Sequence, residues 1–309
     1  MKALTSVKLS LAIFGVSFFW GTTYLAIRIA VQTIPPVYVV GLRHFMAGII
    51  LLIYLTISKK FVLPSWQRLL GNVILASLML ILANGLTTYG EKTIPSGLTA
   101  LLTTLSPLMV LTINISSGKE KFSLKVALGV FLGLLGMILL FYNSLNQLME
   151  PAYRTGIICI LIAIACWSIG TVYSKSINRE NNHIFVDLCI QMLFAGTTVL
   201  LGGLISKTPL TIQTWETTHI LAVFYLTFFG SLAGFVSYLY ALGKLPSTTV
   251  SVFTYFNVVV ALFLGWLILD EQISNRLLVS TALILAGVII ANYKKKNAEP
   301  AVQEMFIKK

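Results

Sequence analysis

Charged side chains inside long apolar stretches are the first residues of this sequence that could do chemistry. They are Arg28, Arg43, His44, Glu91 and Asp187. Within a bilayer each would be costly unless it is paired, hydrated or close to a headgroup. Glu91 directly precedes Lys92, which leaves two interpretations of the acid. It either forms a solvated ion pair at an interface, or it binds a cationic substrate group or a proton.

The other charged positions favour structural interpretations. Arg43 and the adjacent histidine lie about a helical turn inside their segment, where snorkelling to headgroups or internal pairing is favoured over ligand contact. Arg28 is interpreted in the same way. Asp187 is close in sequence to Arg179 and Lys175, and either cation could pair with it.

Aromatic and small polar side chains recur in the middle of the apolar segments. They are Trp20, Tyr24, Asn84, Tyr89, Thr103, Ser106, Trp167, Ser237, Tyr240, Tyr255 and Asn257. Polar groups at this depth need partners, so they face a bundle interior or water rather than lipid. As a set they predict a mixed aromatic and polar pocket that suits an amphipathic organic solute. For any single Ser or Thr, a hydrogen bond between helices is the alternative.

Signatures of catalysis and metal binding are weak. The three histidines form no HExxH motif, no GxSxG motif occurs, and no two acids share a predicted helix. Cys159, Cys166 and Cys189 show no CxxC or Cys/His spacing. We therefore expect neither an enzyme nor a bound cofactor or metal.

The elements that position these residues are helices in a membrane. Hydrophobic residues make up 57% of the 309 residues and charged residues only 10%, a balance that no soluble core of this length could cover with polar surface. Apolar segments long enough to cross a bilayer can be placed ten times. They are 9–31, 38–57, 69–90, 94–115, 126–142, 155–174, 184–205, 220–242, 247–269 and 277–293.

The sequence is internally duplicated. Trp20 and Trp167 are separated by 147 positions, and Thr103 and Thr254 by 151. Further pairs with a shift of 151 are Tyr89/Tyr240, Pro95/Pro246, Glu120/Glu271, Ser123/Ser274, Gly136/Gly287 and Tyr142/Tyr293. Residues 1–148 and 149–296 are thus predicted to be two copies of a five-helix unit, followed by a cytoplasmic tail over 297–309.

Basic residues predict the orientation. With the N-terminus in the cytoplasm, sixteen of the 22 Lys and Arg residues lie on the inner side, four lie in outer loops, and Arg28 and Arg43 lie within apolar segments. The positive-inside rule then places both termini in the cytoplasm. Five helices per copy invert the second copy relative to the first. The net charge of +12 is accounted for by anionic lipid, and we expect no nucleic-acid partner.

Four motifs resemble one known family. They are WGTTYLAIRIA, PPVYVVGLRHFMAG, YGEKTIPSGLTALLTTLSPL and YALGKLPSTTVSVFTYFNVVVALFLGWLILDEQIS. These stretches look like the EamA-type transporters of the drug/metabolite transporter superfamily. The resemblance implies an all-α membrane protein with ten transmembrane helices, arranged as two inverted five-helix repeats around a central cavity. It also implies export of amino acids or related metabolites across a bacterial inner membrane, and an acid near Glu91.

The chain departs from the family pattern in its second half. The family commonly reads Asn-Pro-Val where this sequence has Asn257-Val258-Val259, so Pro107 has no counterpart. Pro107 should open helix 4 near Ser106, either to expose carbonyls for a substrate or only to shape packing. Helix 9 should be straighter near Asn257.

Three function classes remain to compare. A secondary transporter of amino acids or related small amphipathic metabolites accounts for the repeat and the mid-membrane polar groups, and its partners would be a small-molecule substrate and the lipid bilayer. A carrier of nucleotide sugars, lipid headgroups or drugs is the alternative, although nucleotide sugars need several buried cations and only Arg28 and Arg43 qualify. A membrane enzyme would need a set of catalytic side chains, and the sequence shows none.

Gly129, Gly133 and Gly136 lie at helical spacing. They predict close packing within the bundle, or a homodimer contact.

Topology gives the first test. A reporter active only in the cytoplasm is expected to work when fused after Lys60, Lys121, Arg179 or Lys296 and to be silent after Glu91 or Glu150, because of the asymmetry in basic residues. Reporter activity normalised to expression is the measurement. An active fusion after Glu150 would contradict the inverted repeat.

Overall fold

The computed structural model describes residues 2–94, 99, 102–140, 142, 150–176, 184–210, 212–257, 260 and 275–292. Regular structure in these ranges is entirely helical. The helices, numbered in chain order, are α1 Lys2–Ala30, α2 Pro36–Ile57, α3 Trp66–Thr93, α4 Ser106–Ser116, α5 Leu124–Leu140, α6 Arg154–Ser174, α7 Ile184–Ile205, α8 Thr217–Lys244, α9 Ser247–Val252 and α10 Asn275–Asn292. The predicted tail 297–309, the predicted boundary at 148/149 and most of 258–269 lie outside the described residues.

Six of these helices are long and apolar enough to cross a bilayer. The apolar spans of α1, α2, α3, α6, α7 and α8 have 21 to 28 residues. At 1.5 Å per residue, even the shortest reaches about 32 Å, which matches a hydrocarbon core of roughly 30 Å. These six predicted crossings are confirmed in length and composition. Over the described residues, α4, α5, α9 and α10 are shorter.

Helix bounds recur along the chain at the shifts found in the sequence. Both ends of α2 and α7 differ by 148 positions, and both ends of α3 and α8 differ by 151. α3 and α8 also share an unusual feature, since each contains a π-helical stretch, Ala76–Ala83 in α3 and Leu226–Ala233 in α8. Such stretches widen the helix and shift its hydrogen-bond ladder.

The π stretches offer backbone carbonyls to side chains. In α3 the Met79 carbonyl accepts a hydrogen bond from Asn84 Nδ2 at 2.9 Å. In α8 the Gly230 carbonyl accepts one from Trp20 Nε1 at 3.1 Å. Met79 and Gly230 occupy equivalent positions 151 residues apart. The carbonyl released by the π stretch therefore accepts a bond from its own helix in α3 and from a neighbouring helix in α8.

Matched helices pack in pairs across the repeat. α2 packs along α7, and α5 packs along α10. In the first pair, a Cβ on Gly196 would meet the backbone of Phe45. In the second, a Cβ on Gly129 would lie 2.6 Å from the Gly287 carbonyl oxygen. Both helix pairs therefore need glycine for their close approach. The glycine stripe of α5 is therefore used for packing inside the bundle.

The fourth and ninth predicted segments are both interrupted. α4 begins at Ser106 with Pro107 in its first turn, after a turn at 104–105, which confirms the predicted opening. The expectation of a straight ninth segment near Asn257 was wrong. α9 ends at Val252, and a turn at 253–254 follows. There the Thr254 hydroxyl donates to the Ser251 carbonyl at 2.6 Å, a local competition that bends helices without proline.

A polar cluster joins α3 to α7 at the end of the bundle where both helices begin. Arg68 donates from Nε and Nη2 to the two carboxylate oxygens of Asp187 at 2.8 and 2.9 Å. Asn72 donates to Asp187 at 2.8 Å and accepts from Gln191 at 2.7 Å. Asp187 is thus paired with Arg68, which was not predicted, and Arg179, one of its two predicted partners, lies outside the described residues. A bidentate arginine satisfies both oxygens of a buried carboxylate.

Candidate substrate cavity

A cavity of about 100 Å³ lies in the centre of the bundle. A water needs roughly 10–15 Å³ on the same measure, so the space suits a compact organic molecule that would displace several waters. The cavity is lined by Trp20, Thr23, Tyr24 and Ile27 of α1, Arg43 of α2, Ala83, Asn84 and Thr87 of α3, Thr103, Ser106 of α4, Ala163, Ile164 and Trp167 of α6, Phe235 of α8, and Thr254 and Asn257.

One wall of the cavity is aromatic. The Trp20 and Trp167 rings meet edge to face with their centroids 5.2 Å apart. Phe235 packs against both indoles, at 5.4 Å from Trp20 and 5.9 Å from Trp167. Tyr238 lies behind them, and its hydroxyl pairs with the Thr171 hydroxyl at 2.6 Å. The two repeat-related tryptophans thus form a single hydrophobic surface across the middle of the protein.

The remaining wall is polar. The Tyr24 hydroxyl pairs with the Thr103 hydroxyl at 3.1 Å. Asn257 is 3% exposed, and its Oδ1 has no hydrogen-bond partner among the described residues. A buried amide oxygen without a partner is costly. It therefore marks a position where a ligand or a water would be stabilised.

Arg43 brings a positive charge to the cavity. Its side chain is 2% exposed, and Nε donates to the Ser231 hydroxyl at 3.1 Å. Nη1 is buried and has no partner among the described residues. Of the two interpretations favoured for Arg43, internal pairing is found, with Ser231. Snorkelling to headgroups is not, because α7 and α8 cover this part of α2.

Glu91 lies near the cavity but does not line it. The residue is fully buried, and neither carboxylate oxygen has a partner in the described part of the chain, while Lys92 is exposed. The predicted solvated Glu91–Lys92 pair was therefore wrong. Arg28 donates instead to the backbone carbonyls of both residues, where a cation is favourable at the end of α3. The charges of Arg28 and Arg43 act on the carboxylate from a distance.

The predicted site residues divide into two groups. Six of them line the cavity: Trp20, Tyr24, Thr103, Ser106, Trp167 and Asn257. Four do not: Tyr89, Glu91, Tyr240 and Tyr255. Tyr89 is 48% exposed, and Tyr240 packs against an apolar core. Tyr255 is fully buried against Gly133 of α5, with its hydroxyl donating to the Val130 carbonyl at 3.3 Å.

Several lining residues were not predicted. For Arg43, snorkelling or internal pairing was favoured over ligand contact. Thr23, Thr87, Phe235 and Thr254 were not proposed as site residues. Thr254 had a usable signal, since it is the repeat counterpart of Thr103, 151 positions earlier. For Thr23 and Thr87 no spacing in the sequence distinguishes a cavity threonine from one that bonds to its own helix.

A bundle of membrane-crossing helices around an aromatic and polar cavity defines a multi-pass membrane protein with an internal cavity. Comparison with known proteins gives the family. The EamA-like transporter family matches residues 8–142 and again residues 154–293. The chain belongs to the EamA-like transporter family, with the family domain present twice, and the resemblance noted in its sequence motifs is confirmed.

Similar proteins come from several bacteria. The uncharacterized transporter YoaV of Bacillus subtilis is 29% identical over 290 residues, covering 93% of this chain and 97% of that protein. The uncharacterized inner membrane transporter YedA of Escherichia coli is 31% identical over 285 residues, covering 92% and 90%. A solved crystal structure superposes with a TM-score of 0.75 at 17% identity, covering 94% of this chain and 98% of that one. This structural likeness shows the fold alone.

Gly234 tests the placement of Trp20. A Cβ there would lie 2.7 Å from Trp20 Cδ1, whereas a Cβ on Gly85 of α3 would meet nothing within 4 Å. Gly234→Ala should displace the indole and weaken its bond to Gly230. Overpacking of about 1–3 kcal/mol then predicts a transport rate per folded molecule roughly tenfold lower. Gly85→Ala is the matched control and should transport within about twofold of the parent. Equal transport by both variants would contradict this position of Trp20.

Proposed function

We propose that this transporter is a secondary carrier that exports amino acids or related small amphipathic metabolites across the bacterial inner membrane. The observation that carries the proposal is the cavity itself, in which Trp20 and Trp167 face polar groups that include Tyr24, Thr103 and Asn257. Rings and hydrogen-bonding groups at a single site suit a solute with an apolar body and a polar end. A small inorganic ion would not need the indoles.

The proposal includes an architecture. Residues 1–148 and 149–296 would form two five-helix repeats of opposite topology, giving ten transmembrane helices around the cavity, with 297–309 and the N-terminus in the cytoplasm. The recurring bounds of α2 and α7 and of α3 and α8 support this arrangement. So does the pairing of α2 with α7 and of α5 with α10, because helices related by a pseudo-twofold axis meet at that axis. A homodimer stays an alternative use of the outer surface.

A carrier of another solute class on the same scaffold is the competing proposal. Nucleotide sugars bear two or more negative charges and call for several basic groups at the site. In the described part of the chain Arg43 is the one cation that lines the cavity, which favours a solute with at most one strong anionic group. Lipid headgroups and drugs remain outcomes of the test.

Transport in liposomes tests the proposal directly. The purified full-length chain is reconstituted, and the uptake of labelled amino acids, purines and sugars is measured in turn, with and without a pH gradient. Saturable uptake of an amino acid, inhibited by its unlabelled form, is the expected result. Uptake confined to sugars or purines would overturn the proposal. Stimulation by the pH gradient would indicate proton exchange, and equal rates would indicate facilitated export.

Glu91 gives a sharper prediction. Its carboxylate is buried and unpartnered in the described residues, so we propose that its charge serves transport by attracting a substrate cation or by binding a proton. Glu91→Gln is nearly isosteric and removes that charge. Transport at subsaturating substrate should fall about tenfold or more, since roughly 1.4 kcal/mol corresponds to one decade.

Two substitutions of exposed charged residues control for the loss of a charge as such. Lys92→Gln and Glu150→Gln alter exposed residues, and exposed charges are typically worth only about 0–1 kcal/mol, so transport should change less than about fivefold. If Glu91→Gln transports as well as these controls, Glu91 has no part in the site. If a pH gradient stimulates the parent and no longer stimulates Glu91→Gln, the carboxylate is assigned to proton binding.

A further inference from the structure

Two polar groups in the cavity wall have no hydrogen-bond partner among the described residues, and they are opposite in character. Arg43 presents Nη1, a charged donor, and Asn257 presents Oδ1, an acceptor. Both residues line the cavity, and they are 2% and 3% exposed. Buried groups of this kind are nearly always paired in folded proteins. Their presence in one cavity therefore indicates a ligand that accepts a hydrogen bond at one point and donates at another.

The surroundings of Arg43 argue against a purely structural role. Ser231 uses only Nε, and the nearest buried acid, Glu91, has no hydrogen bond to the guanidinium, since both of its oxygens are unpartnered among the described residues. A Cβ on Gly230 would lie 3.1 Å from Arg43 Nη2, so the glycine leaves space beside the guanidinium. An arginine that is held through Nε and has no partner for Nη1 among the described residues keeps hydrogen-bonding capacity for a planar anion.

The second repeat has no basic residue at the position equivalent to Arg43. The position 148 residues after Arg43 is Gln191, a neutral residue whose amide donates to Asn72 in the cluster between α3 and α7. Arg43 therefore has no charged counterpart in the second copy. One guanidinium in the cavity matches one carboxylate and does not match a diphosphate.

We propose that Arg43 binds the carboxylate of the transported solute and that Asn257 accepts a hydrogen bond from its ammonium group, so that the site selects zwitterionic α-amino acids with an apolar side chain. The side chain would lie against Trp20 and Trp167. This inference rests on the proposed function and narrows its substrate class. The carboxylate contact joins two opposite charges, whereas at Asn257 only the ammonium is charged, so the carboxylate contact should contribute more.

Three probes with the same ring separate the two contacts. Phenylalanine carries both charged groups, phenylpropionate lacks the amine, and phenethylamine lacks the carboxylate. Binding of each to the full-length chain in detergent is measured by titration calorimetry, and uptake into liposomes is measured in parallel. The parent is expected to bind phenylalanine best and phenethylamine at least about tenfold more weakly.

The variants should produce a crossed pattern. Arg43→Gln should weaken phenylalanine and phenylpropionate about tenfold or more and leave phenethylamine within about twofold. Asn257→Val should weaken phenylalanine and phenethylamine and spare phenylpropionate. Arg43→Lys keeps the charge and should recover part of the loss. Arg154→Gln removes an exposed arginine at the start of α6 and should change none of the three affinities.

Each departure from this pattern has a defined meaning. Equal weakening of all three probes by Arg43→Gln, or no weakening at all, would overturn the carboxylate contact. If phenylalanine is transported but the variants do not discriminate, the inference fails and the proposed export of amino acids stands. If phenylpropionate alone shows Arg43-dependent binding, the carboxylate site stands and the amino-acid substrate fails. A parent chain that binds none of the three probes would overturn this inference, while saturable uptake of another amino acid into liposomes would leave the proposed export standing.

Discussion

The absence of water in the hydrocarbon core of a bilayer is the constraint on which this structure depends. A polar group there must find a partner in the protein or face a cavity. Most buried hydroxyls and amides of the described residues obey the first rule, as the Asp187 cluster between α3 and α7 does. Arg43 and Asn257 follow the second. Unpartnered buried groups also occur away from the cavity among the described residues, as at Ser168 and Ser280, so such a group marks the site only where its residue lines the cavity.

Helix geometry is adjusted wherever the cavity requires it. α3 and α8 widen into π stretches beside the tryptophans, and the segments at α4 and α9 are interrupted by turns. Proline accounts for the first interruption, while hydroxyl groups of Ser251 and Thr254 that bond to backbone carbonyls accompany the second. Different residues achieve a similar opening in both copies. This explains why a comparison of Pro107 with its missing counterpart predicted an asymmetry that the backbone does not have.

Much of the fold followed from the sequence because apolar length and repeated motifs are local signals. The bounds of α7 were predicted to the residue, and Trp20 and Trp167 were both predicted to line the pocket. Side-chain direction was harder to predict. Tyr255 shares a segment with Asn257, yet a rotation of about 200° along two helical positions turns one toward α5 and the other toward the cavity. Pairing over long distances in sequence, as between Arg68 and Asp187, had no local signal.

The Arg68–Asp187 ion pair has one more consequence, because its repeat counterparts are different in kind. The positions equivalent to Arg68, Asn72, Asp187 and Gln191 are His219, Val223, Val39 and Arg43. Separating α3 from α7 would break a bidentate ion pair with its attached amides, whereas in the described residues the corresponding contact of α8 with α2 holds only the Arg43–Ser231 hydrogen bond. The contacts between the matched helix pairs are therefore unequal in the described residues. Opening the bundle between α3 and α7 would have to break an ion pair, and opening it between α8 and α2 would not.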